Sequence, residues 1–241
     1  MRESGRRRVA RRALAAGLGW LALAGALAPP LDALAQVSFA AHMIQHEILM
    51  LVAAPLLVLA RPLAAFMWAL PLAGRQAVAR PFRRAWWRQA WGWLVAPLTA
   101  WSVHTVVLWT WHAPAWFEAG LRHRGIHDLQ HASFFIAALL FWWALARRRS
   151  DGVGLMSVLT TLLHIGVLGA LLTFSPRVWY PTYLHTDHPW GLTPLADQQL
   201  GGLIMWVPAG AIFIVAGLVL FEQWMRTLEP RSPYSPRTGA S

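Results

Sequence analysis

Cysteine is absent from the 241 residues, which excludes disulfides and thiolate metal sites. Charge is sparse too: 13% of the residues are charged, and only 10 of them are acidic. No segment pairs a nucleophile with a base, no glycine loop of phosphate-binding form occurs, and no two carboxylates are paired. Enzymatic chemistry is therefore not expected. The net charge of +11 does not imply nucleic acid, because the arginines are gathered into no single patch or helix face. They sit between apolar segments.

What the chain has instead is hydrophobicity over its whole length: 57% hydrophobic residues, 16 Trp and a mean hydropathy of +0.43. That composition predicts an all-α, polytopic transmembrane bundle of about six helices. The first segment, 13–28, follows six arginines and ends at Pro29-Pro30. It reads as a first helix. It reads also as a cleavable secretory signal with Ala33-Leu34-Ala35 before Gln36, which would leave five helices. Either way Gln36 lies on the outer face. Further spans are expected over about 39–60, 94–117, 127–146, 153–174 and 197–225. The organisation is then an arginine-rich N-terminal part (1–35), a membrane bundle (36–226) and a disordered cytoplasmic tail (227–241).

Orientation follows from the arginines. Eighteen of the 21 basic residues fall before the first span, in 61–90, after the fourth span or in the tail; only Arg122, Arg124 and Arg177 fall in the alternate segments. By the positive-inside rule this predicts an N-in, C-in protein. Trp86, Trp87, Trp91 and Trp93 form the aromatic belt where the third span re-enters the bilayer.

The stretch 40–61, A-A-H-M-I-Q-H-E-I-L-M-L-V-A-A-P-L-L-V-L-A-R, concentrates the chemistry. His42, His46 and Met50 recur every four residues, so on a helix they share one stripe. Ionisable side chains in a membrane segment face a bundle interior or a site. A second i,i+4 pair, His127 and His131, opens the fourth span at equivalent depth, and His112 closes the third. None of the 10 histidines falls in a segment assigned to the cytoplasm. Two i,i+4 imidazole pairs on different helices can present nitrogens to one ion. Met43 and Met50 beside the first pair favour Cu(I), while imidazole also suits zinc and iron. The metal ligands are thus expected to be His42, His46, His112, His127 and His131. Met43, Gln45, Glu47, Met50, His104, His164 and Asp197 are candidates for further ligands or supporting contacts.

Plainer readings stand beside this one. A membrane histidine can simply pack through a hydrogen bond, and a scaffold whose histidines only pack is one alternative. His123, His185 and His188 read as solvated loop residues. Asp197 reads equally well as a helix N-cap, Gly201 and Gly202 as allowing close helix packing, and Glu47 as snorkelling to the surface. Two other functions stay open: a copper permease, for which only His104 and His164 extend inward, and a haem-binding membrane redox protein.

The segments H-M-I-Q-H-E-I-L-M-L-V-A-A-P-L-L-V-L-A-R-P from His42, W-H-A-P-A-W-F from Trp111 and H-D-L-Q-H-A-S-F-F-I-A-A-L-L-F-W-W from His127 are followed by W-Y-P-T-Y from Trp179 and A-D-Q-Q-L-G-G-L-I-M-W-V-P from Ala196. In this order, over about residues 20–225, the chain resembles the CtaG-type family associated with assembly of caa3-type cytochrome c oxidase. It does not resemble the cupredoxin-like copper chaperone that shares the family's name. The resemblance implies a bacterial plasma-membrane protein needed for maturation of haem-copper oxidase. Its partners would be oxidase subunits and the lipid bilayer, and copper would be delivered at a site facing the periplasm. Carried over by position, His42, Gln45, His46, His112, His127, His131 and the Asp197-Gln198-Gln199 segment fall on family motifs. Glu47 departs from an apolar family position, and the N-terminal part lacks a helix that many relatives carry ahead of Ala13. Neutral imidazole ligands predict metal affinity that falls below about pH 6.5.

Overall fold

The computed structural model describes residues 2–147, 152–186 and 190–228. Arg148, Arg149, His188 and the tail from residue 229 lie outside the described residues. All regular structure among them is helical. Among the described residues four helices are long and apolar enough to cross a membrane, and counting each of two bent pairs as one span gives up to six, against the about six that the composition predicts.

Proline sets most of the boundaries. α1 (Arg2–Ala26) bends by 45° into α2 (Pro29–Val37), with Pro29 and Pro30 at the start of α2, where a missing N–H leaves no bond unmade. The next span is composite: α3 (Phe39–Glu47), a π-helical turn (Ile48–Ala53) and α4 (Ala54–Ala60). Pro55 accounts for the wide turn. Its ring clashes with an α-helical bond in the preceding turn, and the Ala54 N–H reaches back to the Leu49 carbonyl instead. In that register the Met50 carbonyl would need the N–H that Pro55 lacks. The Trp142 indole donates to it at 2.9 Å.

Arg61 ends this span in the left-handed region (φ 52°, ψ 53°). Residues 61–90, expected as a loop, fold into α5 (Pro62–Ala69), α6 (Leu72–Phe82) and the start of α7 (Ala85–Leu94). No residue of α6 or α7 is buried. α7 turns by 62° into α8 (Pro97–His112). The third span, expected to run on to Phe117, stops at Ala113, which is extended (ψ 130°) before Pro114, as a residue preceding proline prefers. α9 (Pro114–Arg122) then lies apart from it. α10 (Arg124–Arg147), α11 (Gly152–Thr173), a 3-10 turn (Pro181–His185) and α12 (Pro194–Leu228) complete the chain.

α12 packs against α11 and α3, α10 against α8 and α4, and α1 against α4 and the π turn. A Cβ on Gly201 would strike the Phe39 ring, and one on Gly202 would lie 2.5 Å from Thr173 Oγ1. These glycines let α12 approach both neighbours, as expected from the sequence. Phe39, Phe134, Phe141 and Phe213 fill one continuous core, while Leu163, Leu171, Val215 and Leu218 face outward. An apolar exterior is what lipid contact demands.

Candidate metal centre

α3 enters the bundle at its N-terminus, and that terminus is capped from 158 residues away. Asp197 Oδ2 accepts the Phe39 N–H at 2.6 Å, and Oδ1 accepts the Ser38 hydroxyl at 2.7 Å and the Ala40 N–H at 3.4 Å. The Ser38 hydroxyl in turn accepts the Ala41 N–H. A carboxylate at a helix N-terminus satisfies orphan donors and suits the helix dipole. Asp197 therefore caps α3, not its own helix, and its oxygens are turned to that cap, not to a metal.

One turn further on, five imidazoles from three helices converge. Ring centroids lie 4.4 Å apart for His42–His46, 4.1 Å for His127–His131, 5.3 Å for His46–His131, 5.4 Å for His42–His127 and 6.2 Å for His46–His112. All five are at most 6% exposed. The expected pairs on α3 and α10, with His112 from the end of α8, thus form one cluster. Ligand nitrogens of His42, His46 and His131 lie within 4.8 Å of one another. An ion about 2.0–2.1 Å from each nitrogen holds them roughly 3.3–3.6 Å apart, so closing on an ion requires side-chain movements of about an ångström.

The hydrogen bonds at the rim select which nitrogens are free. His112 Nδ1 lies 2.7 Å from the Leu108 carbonyl, which makes it a donor and leaves Nε2 with its lone pair. The Tyr183 hydroxyl donates to the Ala35 carbonyl at 2.8 Å and lies 3.4 Å from His42 Nδ1. That nitrogen carries the proton, and Nε2 again is free. Nε2 of His42, His112, His127 and His131, and both nitrogens of His46, have no hydrogen-bond partner among the described residues. Buried polar atoms are ordinarily paired, and here the unpaired atoms share one volume. A backbone or hydroxyl acceptor of the kind behind His112 and His42 is also how metal-binding histidines are oriented.

The remaining candidates separate. Gln45 turns away, donating to the Ala26 carbonyl at 2.8 Å and reaching Asp32 at 3.4 Å. Met43 and Met50 are buried in the core. The α-helical register that aligned Met50 with His46 ends at Ile48, where the π turn begins. Glu47 is half-buried, with Oε2 unpaired. His104 and His164 form a separate, deeper pair with ring centroids 6.4 Å apart. His123 and His185 are exposed, as expected of loop residues.

Several residues that close the site had no assigned role in the sequence. Phe117 lies 4.9 Å from the His42 ring and Phe134 4.5 Å from the His46 ring, shutting water out. The Tyr180 hydroxyl donates to the His112 carbonyl at 2.9 Å. Glu118 accepts the Thr182 N–H at 3.0 Å and its hydroxyl at 2.7 Å, anchoring residues 179–183, the lid over the cluster, to α9. Burial, followed by the nearby carboxylates, pushes the Tyr183 hydroxyl well above its ordinary pKa; burial and Glu118 do the same for Tyr180. Both remain protonated donors. Gln198 accepts the Trp179 N–H at 2.6 Å and donates to the Arg177 carbonyl at 3.1 Å, so the D-Q-Q segment holds the lid and the α3 terminus together. W-Y-P-T-Y was the signal for this lid.

The sequence model of the cytochrome c oxidase caa3 assembly factor family (Caa3_CtaG) matches residues 1–227. The chain belongs to that family. Among curated proteins, this Caa3_CtaG member is 28% identical over 200 residues to uncharacterized proteins of Mycobacterium bovis and Mycobacterium tuberculosis. It is 26% identical over 205 residues to one of Mycobacterium leprae. Each alignment covers 78% of this chain and 30% of the relative, so the chain spans about a third of the length of the relatives it matches. No solved structure matches it.

Proposed function

We propose that this protein acts in the bacterial plasma membrane as an assembly factor for haem-copper cytochrome c oxidase. It binds copper at the cluster of His42, His46, His112, His127 and His131 and passes the ion to an oxidase subunit on the periplasmic side. It is a carrier and not an enzyme. The observation that carries the reading is the convergence of five buried imidazoles whose Nε2 atoms lack partners. Membership of a caa3 assembly-factor family supplies the client class.

Copper is favoured over the alternatives on chemical grounds. An all-imidazole donor set without a carboxylate suits Cu(I) or zinc better than hard cations. Haem would need room for a macrocycle between two axial rings; here Phe117 and Phe134 pack 4.9 and 4.5 Å from the His42 and His46 rings. A permease would carry ligands through to the arginine-rich end of the bundle, and no histidine lies there.

The test is oxidase copper content in a strain deleted for its family member. Complementation with wild type is expected to restore copper-loaded oxidase, and His46→Ala/His131→Ala, at matched abundance, to leave apo-oxidase subunits. Full copper loading by the variant would overturn the proposal.

A further inference from the structure

About 12 Å along α8 from His112, at 1.5 Å for each of eight residues, His104 faces His164 of α11. His104 is 2% exposed, and the two ring centroids are 6.4 Å apart. Nδ1 of both rings is buried without a hydrogen-bond partner among the described residues. His164 Nε2 lies 3.2 Å from the Thr105 hydroxyl. With Nε2–H donating to that oxygen, the Nδ1 lone pair is free. Phe141 packs at 4.9 Å from the His104 ring, and Trp101 lies 6.1 Å from the His164 ring. Neither Nδ1 is hydrogen-bonded among the described residues, and the Trp101 indole N–H beside the pair is buried and unpartnered as well; orphaned polar atoms are costly at membrane depth.

We propose that His104 and His164 form a second, two-coordinate site for a monovalent soft cation, set deeper in the bundle than the histidine cluster. Two imidazole nitrogens about 2 Å from an ion on opposite sides place their ring centroids roughly 6 Å apart, close to the 6.4 Å observed. Neither α8 nor α11 carries an acidic residue. A divalent ion would therefore bring two uncompensated charges into low dielectric. Born solvation scales with the square of the charge, so a monovalent ion is far less penalised. Linear two-coordination by nitrogen is a preference of d10 monovalent ions. Assignment of the ion to copper rests on the function proposed above; the two-coordinate geometry does not. One ion at the cluster and one at this pair would give the protein two positions along α8.

The test is Cu(I) stoichiometry and copper X-ray absorption on full-length protein in detergent. Wild type is compared with His46→Ala/His131→Ala, with His104→Leu/His164→Leu and, to preserve polarity, with His104→Gln/His164→Gln. Wild type is expected to bind two equivalents. The cluster variant should retain one, with two nitrogen scatterers in linear geometry, and both deep-pair variants should lose that one alone. A single wild-type equivalent that vanishes in the cluster variant and survives in both deep-pair variants would overturn the second site and leave the outer one standing. A deep equivalent present in all but the deep-pair variants, with no equivalent lost in the cluster variant, would support this site and overturn the copper reading of the cluster.

Discussion

Asp197 shows how the site depends on a residue that touches no ligand. Its carboxylate holds Ser38 and the first amides of α3, four residues before His42. Asp197→Ala leaves buried donors unpaired, at a cost of about 2–3 kcal/mol. The expected result is a lower melting temperature in detergent together with weaker metal binding, since the α3 histidines lose their anchor. Tyr180 and Tyr183 give a pH prediction. Their folded-state pKa values are raised by burial above the ordinary value of about 10. Their contribution to stability is complete below that value and declines as pH rises through it. Thermal stability should fall above about pH 10, and less steeply in Tyr180→Phe/Tyr183→Phe. The five clustered histidines were legible in the sequence because i,i+4 pairing is a local property. The partners of Asp197 and Tyr183 were not, because Phe39 and Ala35 lie about 150 residues from them and no local pattern encodes such contacts.

Among the elements, the close approach of α12 to α3 and α11 is the most exposed to test. A Cβ on Gly202 would meet Thr173 Oγ1 at 2.5 Å, the Thr173 amide at 2.7 Å and the Gly169 carbonyl at 3.0 Å. Backbone cannot move aside as a flexible side chain can. Gly202→Ala is expected to destabilise by about 1–3 kcal/mol, whereas Gly210→Ala, whose Cβ would make an ordinary 3.7 Å contact with Leu162, should be neutral or slightly stabilising. Equal melting temperatures for the two variants would contradict this packing. Long apolar runs made the spans readable, and proline made their ends readable where Pro29, Pro62 and Pro114 stop a helix. The π turn was hidden: Pro55 signals a break, but widening rather than kinking depends on Trp142 offering its indole to the freed Met50 carbonyl. The π turn also breaks the α-helical register on which the four-residue spacing of Met50 from His46 was counted. Residues 61–90 were read as a loop from their arginines, yet charge does not prevent helix where, as in α6 and α7, no residue is buried.

For the whole molecule, alternating spans bring the start of α3, the end of α8 and the start of α10 to one end of the bundle, with α9, the lid and the start of α12 around them. The six arginines of 61–90 and Arg147 gather toward the other. The histidine cluster and the arginines thus lie toward opposite ends of the chain's spans. Whether the cluster is a metal site is decided by an anaerobic Cu(I) titration of purified wild type against His46→Ala/His131→Ala at two pH values. A saturable equivalent is expected in wild type and not in the variant, with affinity that weakens as pH is lowered, because protons compete for the ligating nitrogens. Binding that is the same in both proteins and indifferent to pH would contradict it.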